Sequence, residues 1–248
     1  MEDARGRSCV NIDQVKMIIP NELDEDTTEP YRQLIGCLQY IANFTRPDIQ
    51  YATNFMARFN SNPKDKHWKA TLDILRYLKE TMDAGINYEG AMAGSSIGVF
   101  SDADWGRLPH DRHSTSGCIV LMASAPITFF ARRQKMVAAS STEAEYVAAS
   151  EAVKEIKWLR NLMMEIGLIP KEITLHVDNQ SAIRQIKNVD TNKRSKHVDI
   201  RYHSIREAFE EKEFQIKYIP TGNQAADILT KLVNGPRLDK ILKQCGIY

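Results

Sequence analysis

Ser140-Ser141-Thr142-Glu143-Ala144-Glu145-Tyr146-Val147-Ala148-Ala149-Ser150 decides how the rest of the chain is read. Ser140 followed three residues later by Glu143 has the form of a capping box: the serine oxygen accepts a first-turn amide hydrogen, and the glutamate reaches back to the cap amide. Glu143 therefore has a structural task. Glu145 precedes Ala148, Ala149, Ala152, Ile156 and Leu159 at helical spacing, on the apolar side of a long helix predicted from Ser140 to about Gly167, which suits the C-terminal cap. A carboxylate on the core-facing side of a helix is costly unless it meets a cation or a metal ion.

On the N-terminal side of this helix the pattern has period two. Ile97-Gly98-Val99-Phe100-Ser101-Asp102 is a short buried strand ending in an acid, and Gly117 to Ala123 and Ile127 to Ala131 read as two further strands of an antiparallel meander. On the C-terminal side, the alternating strand Ile173–Val177 runs straight into Asp178 and a helix. A helix from about Lys196 to Lys212, a strand at Phe214 to Ile219 and a helix from Gln224 follow. These elements make an α/β unit around one mixed sheet. Further upstream, Tyr31, Leu34, Ile35, Leu38, Ile41 and Ala42 fall on one helical face. Pro47 suits the first turn of a second helix with Ala52, Phe55, Met56 and Phe59 inward, and Trp68, Leu72, Leu75 and Leu78 mark a third. Residues 1–29 end in the acidic run Asn21–Asp26 and read as a flexible lead-in.

Four acids then share one edge. Asp102 ends the first strand, Glu145 opens the long helix, Asp178 ends the fourth strand, and Asp227 sits in the first turn of the helix after the last strand. Strand ends and helix starts that emerge together are where open α/β sheets keep their sites. Clustered carboxylates repel unless cations neutralise them. Oxygen-only ligands suit Mg²⁺ or Mn²⁺ and not zinc, and two such ions about 3.5–4 Å apart form a site that hydrolyses phosphodiesters.

Composition bounds the remainder. With 248 residues, 43% hydrophobic and 26% charged, the chain has the make-up of a soluble globular protein. No apolar run approaches the roughly 20 residues that cross a bilayer, so no membrane partner is expected. The scattered Cys9, Cys37, Cys118 and Cys245 show no metal-ligand spacing and suit reduced thiols inside a cell. A net charge of +1 leaves nucleic-acid binding to local basic clusters.

Six ordered blocks carry a family resemblance: Ser-Asp-Ala-Asp-Trp (101–105), Asp-Arg-His-Ser-Thr-Ser-Gly (111–117), Ser-Ser-Thr-Glu-Ala-Glu-Tyr-Val-Ala (140–148), Val-Asp-Asn-Gln-Ser-Ala (177–182), Lys-His-Val-Asp-Ile-Arg-Tyr-His (196–203) and Ala-Asp-Ile-Leu-Thr-Lys (226–231). Together they resemble the ribonuclease H domain of copia-type retrotransposon Pol polyproteins. Upstream, Tyr31–Tyr40, Thr45-Arg46-Pro47-Asp48-Ile49, His67-Trp68 and Leu75–Lys79 resemble the region that closes the reverse transcriptase of the same polyprotein. The resemblance implies a ribonuclease H-like mixed five-stranded sheet flanked by helices. It covers roughly residues 30 to 235, as a helical reverse-transcriptase unit at 30–90 and the ribonuclease H-like domain at 95–235, between the lead-in at 1–29 and a C-terminal helix or tail at 236–248. It also implies cleavage of the RNA strand of RNA–DNA hybrids with two Mg²⁺ or Mn²⁺ ions held by Asp102, Glu145, Asp178 and Asp227, and no small-molecule cofactor. An intracellular particle or the nucleus is the implied location. The remainder of the reverse transcriptase is the implied protein partner, against which the apolar faces of residues 30–82 would pack and without which they would stand exposed.

Neighbouring residues compete for these roles. Asp104 falls beyond the apolar run of its strand and reads as a loop acid; Asp178 also reads as the N-cap of the helix after it; Asp227 also reads as an ordinary first-turn acid. Many ribonucleases H place a histidine in the loop before the last acid, but Pro220–Ala226 holds none. His197 either supplies that imidazole from another element or stabilises a helix start with Asp199, and the other histidines read as packing or surface residues. Arg132, Arg133 and Lys135 form one basic cluster, and Lys187, Lys193, Arg194 and Lys196 a second, suited to positioning a duplex by its phosphates. Ser114, Ser116, Asn179 and Gln180 are candidates for reading 2′-hydroxyls. No Tyr-x-Asp-Asp occurs, so the chain reads as a C-terminal piece of such a polyprotein that does not polymerise DNA. It is either an active hybrid nuclease or a catalytically silent remnant or recruited nucleic-acid-binding module.

Overall fold

The alternating run from Ile97 becomes the middle strand of a five-stranded sheet. The structure is a computed structural model that describes residues 24–88, 96–106, 112–187, 204–233 and 235–248. In chain order its elements are α1 (Tyr31–Phe44), a 3₁₀ turn (Pro47–Ile49), α2 (Gln50–Ala57) and α3 (Asp65–Glu80). Then come β1 (Ile97–Asp104), β2 (Thr115–Met122), β3 (Ala125–Arg133), α4 (Ser141–Glu165), β4 (Ile173–Val177) and α5 (Gln180–Lys187). After α6 (residues 204–210) follow β5 (Gln215–Tyr218), a 3₁₀ turn (Thr221–Asn223), α7 (Asp227–Thr230) and α8 (Gly235–Gln244).

The strand order is β3-β2-β1-β4-β5. β1 pairs antiparallel with β2, and β2 with β3, while β4 runs parallel to both β1 and β5. The mixed α/β sheet expected from the pattern is therefore present. β1 is longer than expected: Asp104 is its last residue, opposite Thr115, and its Oδ1 accepts the Thr115 amide hydrogen. Asp104 is thus a strand residue and not a loop acid, because β2 starts early enough to pair with it. The helix expected from Gln224 starts three residues later, at Asp227, because Gln224 closes the preceding 3₁₀ turn. It is a single turn, α7, stopped by the extended backbone of Lys231, and helix resumes only at Gly235.

One face of the sheet carries α4. Ser140 caps it by accepting the Glu143 amide hydrogen at 3.1 Å, and the Glu143 carboxylate accepts from the Ala139 amide at 2.8 Å, one residue before the expected cap amide. At the other end Gly167 adopts φ +75, the Leu168 amide donates to Met163 and the Gly167 amide to Met164, which closes the helix in a Schellman motif. Ala149, Ala152, Val153 and Ile156 pack with Val99, Val120 and Leu175 of the strands and with Ile183 and Ile205 of α5 and α6. Each fully buried aliphatic side chain of this kind contributes about 1.5–3 kcal/mol.

The opposite face is covered by the upstream helices together with α7 and α8. Phe100, Ile119 and Leu121 of the sheet share one apolar cluster with Ile35, Leu38, Ile49, Phe55 and Ile74 upstream and with Ile228, Leu229 and Ile241 downstream. The Asn54 side-chain amide donates to the Ala131 carbonyl at 3.1 Å across this junction. The expectation that the apolar stripes of residues 30–82 lack a partner is therefore corrected. A sheet apolar on both sides needs a layer on each, and these helices supply the second.

Two features tie this layer together. Arg46 and Asp48 form a buried pair at 2.7 Å, with Tyr77 Oη donating to Asp48 at 2.7 Å and Arg46 donating to the Thr81 hydroxyl and carbonyl. Thr45–Ile49 thus encodes a buried ionic lock. At the C-terminus, Ile247 bridges to Ile86, and Gly85 and Tyr248 exchange amide-to-carbonyl hydrogen bonds at 2.7 and 3.2 Å. Asp48→Ala would strand the Arg46 guanidinium in the interior, so urea unfolding should show a loss of about 3–5 kcal/mol, against a much smaller loss when both residues become apolar together.

Candidate active site

The parallel pairing of β1 and β4 aligns Ser101 with Val177, so the next residues of the two strands, Asp102 and Asp178, leave the sheet side by side. α4 adds Glu145 from its second turn. Its start is held by Gln134, whose buried side-chain amide donates to the Ala144 carbonyl and to Ser116 Oγ, both at 2.9 Å. Each of Asp102, Glu145 and Asp178 has a carboxylate oxygen within 4.8 Å of the others. Asp102 is 2% and Glu145 7% exposed, while Asp178 is half-buried.

The electrostatics follow from that crowding. Burial first, then the charges of Asp102 and Asp178, push the Glu145 carboxyl up to about 9, against the opposing effect of a hydrogen bond from the Ala103 amide. Glu145 Oε2 is buried with no hydrogen-bond partner. Burial and Asp102 also raise Asp178, opposed by Thr221 Oγ1, which donates to it at 2.9 Å. An all-oxygen donor set with one orphaned buried oxygen fits a hard divalent cation. The acidic trio is thus compatible with divalent-metal binding.

Asp227 is placed differently. It is fully buried, its carboxylate pairs with Lys231 at 2.6 Å and with Arg237, and it does not join the trio's close set of oxygens. Lys231 also lies 3.7 Å from Asp102, and the Thr230 hydroxyl donates to the same Asp102 oxygen. The turn is locked from behind by Gln224, buried, whose side chain donates to the Ser101 carbonyl at 2.9 Å. Close approach of α7 depends on Gly117, the cross-strand neighbour of Asp102. A Cβ there would stand 2.7 Å from Thr230 Cγ2, 2.9 Å from Leu229 Cβ and 3.1 Å from the Ala226 carbonyl.

Among the other expected residues, Asn179 rather than Asp178 caps α5, its Oδ1 accepting from the Ala182 amide at 3.0 Å, which leaves Asp178 free for the trio. Gln180 is exposed on the first turn of α5. Arg132 is exposed, 4.1 Å over the Phe130 ring and 3.5 Å from Glu155; Arg133 meets His113 at 3.0 Å; Lys135 is exposed. Ser114 and Ser116 are buried, Ser116 being taken by Gln134, so neither is placed to read a hydroxyl. His197, Lys193, Arg194 and Lys196 lie outside the described residues. Thr221, Thr230, Lys231 and Arg237 were not anticipated. The four-residue spacing of Asp227 and Lys231 was the one readable signal for any of them.

The family model described as "Reverse transcriptase-like" matches residues 102–233, more than half of the chain, beginning at the first acid of the trio. The chain belongs to the reverse transcriptase-like family. Within it, this reverse transcriptase-like chain is 39% identical over 219 residues to the retrovirus-related Pol polyprotein of transposon TNT 1-94 from Nicotiana tabacum, covering 88% of the chain and 16% of that polyprotein. It is 35% identical over 223 residues to the Pol polyprotein of transposon RE2 from Arabidopsis thaliana, covering 90% of the chain and 15% of the polyprotein. The copia-type Pol relationship read from the six blocks is thereby shown, for a chain that spans about a sixth of its relatives' length. The chain is also similar to a ribonuclease H1 isolated from compost by a metagenomic approach, with a TM-score of 0.42 and 16% identity over 60% of this chain and 99% of that one.

Two outcomes are expected of the site. The folded chain keeps a proton on Glu145 between the ordinary glutamate value of 4.5 and about 9, where the unfolded chain has lost it. The folded state thus binds more protons across this window, so metal-free stability should fall as pH rises through it, by up to about 1.4 kcal/mol per pH unit. Thermal melts in EDTA check this, and Glu145→Gln should flatten the slope. Gly117→Val should push α7 away from β2, costing about 1–3 kcal/mol by urea unfolding.

Proposed function

We propose that the chain is a ribonuclease H that hydrolyses the RNA strand of RNA–DNA hybrids with the help of two Mg²⁺ or Mn²⁺ ions, without polymerase activity of its own. The observation that carries the reading is the convergence of Asp102, Glu145 and Asp178 with an orphaned buried oxygen at the edge of the sheet, in a chain related to Pol polyproteins. Divalent ions, when bound, supply Lewis acidity, which lowers the pKa of water and neutralises charge at a phosphodiester. Asp102, Glu145 and Asp178 are the residues that would hold them, with Asp227 as a fourth acid once it parts from its cations. The raised Glu145 carboxyl gives up its proton as a cation binds, so affinity should rise with pH toward about 9.

The remaining side chains position rather than react. Thr221 and Thr230 orient Asp178 and Asp102 by hydrogen bonds. Arg132, Arg133 and Lys135 would meet backbone phosphates, with Asn179 and Gln180 near the RNA strand and Lys193, Arg194 and Lys196 adding to the charge. His197 is the candidate proton-transfer group. The remainder of a reverse transcriptase is the partner proposed for the chain. A second reading, a nucleic-acid-binding module without cleavage, is favoured by the pairing of Asp227 with Lys231 and Arg237.

Cleavage of an end-labelled RNA–DNA hybrid by the purified chain, with Mg²⁺, Mn²⁺ or EDTA, separates the two readings. The nuclease reading expects metal-dependent cutting of the RNA strand, reduced at least about a hundredfold in Asp102→Asn and Asp178→Asn. Hybrid binding without cutting, or near-normal cutting by either variant, overturns it.

A further inference from the structure

We propose that Lys231 is a counter-cation built into the site, competing with the second of two divalent ions for the space between Asp102 and Asp227 and so setting how tightly that ion binds. The inference rests on the divalent-ion reading of the acidic trio given above. Its starting point is the uneven distribution of positive charge. On the Glu145 and Asp178 side, three carboxylates crowd together and Glu145 Oε2 is left without a partner. On the other side, the Lys231 ammonium stands 2.6 Å from Asp227 and 3.7 Å from Asp102, and Arg237 holds the second Asp227 oxygen while also donating to the Thr221 carbonyl.

A first ion entering by Glu145 and Asp178 meets the crowded carboxylates, on which Lys231 acts only as a lesser influence at longer range. A second ion entering between Asp102 and Asp227 meets a resident ammonium at contact distance, and the repulsion at such range is large even in a partly solvated site. Asp227 is completely buried, so in the metal-free chain it needs a cation, and Lys231 and Arg237 meet that need. The two cations differ in mobility. The Lys231 side chain is 21% exposed, on a flexible four-carbon stem at the point where α7 ends in extended backbone, so the ammonium has a path to water. Arg237 is fixed by a second bond to the Thr221 carbonyl. Gly117 and the Thr230 hydroxyl hold this segment against Asp102, which keeps the ammonium over the acid it screens.

The test is calorimetric titration of Mn²⁺ and of Mg²⁺ into the full chain, as wild type, Lys231→Met and Lys231→Arg. The wild type is expected to show a tighter and a weaker step. Lys231→Met should tighten the weaker step about tenfold, while Lys231→Arg, which keeps the charge, should stay within about threefold of wild type. The metal-free Lys231→Met protein should melt lower than wild type and recover at saturating Mn²⁺. A merely structural ion pair would lower the melting temperature and leave metal affinity unchanged. Unchanged or weakened binding by Lys231→Met with native circular dichroism overturns the proposal. Should Lys231→Met not fold, the ε-methylene NMR signal of Lys231 in the wild type decides: it must shift with the weaker step, and its constancy overturns the proposal. A wild type that binds neither ion overturns the metal reading itself, whereas normal wild-type binding with an indifferent Lys231→Met removes the Lys231 role alone.

Discussion

The parallel pairing of β1 with β4 is the constraint on which the remainder of the fold depends. Parallel neighbours cannot be joined by a tight turn, so the chain must cross over, and α4 lies in that crossover. A strand paired in this way is buried on both sides, which demands a second covering layer. Phe100, Ile119 and Leu121 meet that demand through α1 to α3, α7 and α8. The same pairing determines the chemistry, because strands that run the same way end together. Asp102 and Asp178 are neighbours for the reason that Ser101 and Val177 are.

Repulsion among the acids then shapes everything around them. One solution is retention of a proton, seen in the raised carboxyl of Glu145. The other is an internal cation, seen at Asp227. The two solutions meet at Asp102, which shares the close set of oxygens with Glu145 and lies 3.7 Å from Lys231. Hydroxyl groups of Thr221 and Thr230 reach Asp178 and Asp102 and keep the arrangement ordered.

What was legible in the sequence was what depends on local pattern. The capping box at Ser140 and Glu143, the apolar alternation into Asp102 and the strand ending at Asp178 are each encoded within a few residues, and they carry three acids to one place. The packing partner of the upstream helices was not legible, since an amphipathic stripe reads the same whatever lies against it. The start of α7 was misplaced by three residues, because Gln224 closes a 3₁₀ turn and its side chain is spent on the Ser101 carbonyl, a contact far away in sequence. Arg237 was invisible for a different reason: its contact with Asp227 depends on how α8 folds back, a relation no short window contains.

The small ladder between residues 85–87 and 246–248 has a kinetic meaning. It joins segments at opposite ends of the sheet-forming sequence, with Ile86 facing Ile247 and the Asn87 amide donating to Gly246 at 2.8 Å. Closing so long a loop costs more chain entropy than a local contact does, and the burial of Ile247 and Cys245 in the core, with Ile86 packed against it, offsets that cost together with the hydrogen bonds. A contact of such sequence separation slows folding relative to local ones. α8 carries Arg237, so the clasp and the burial of Leu238 and Ile241 together fix the helix that supplies a cation to Asp227.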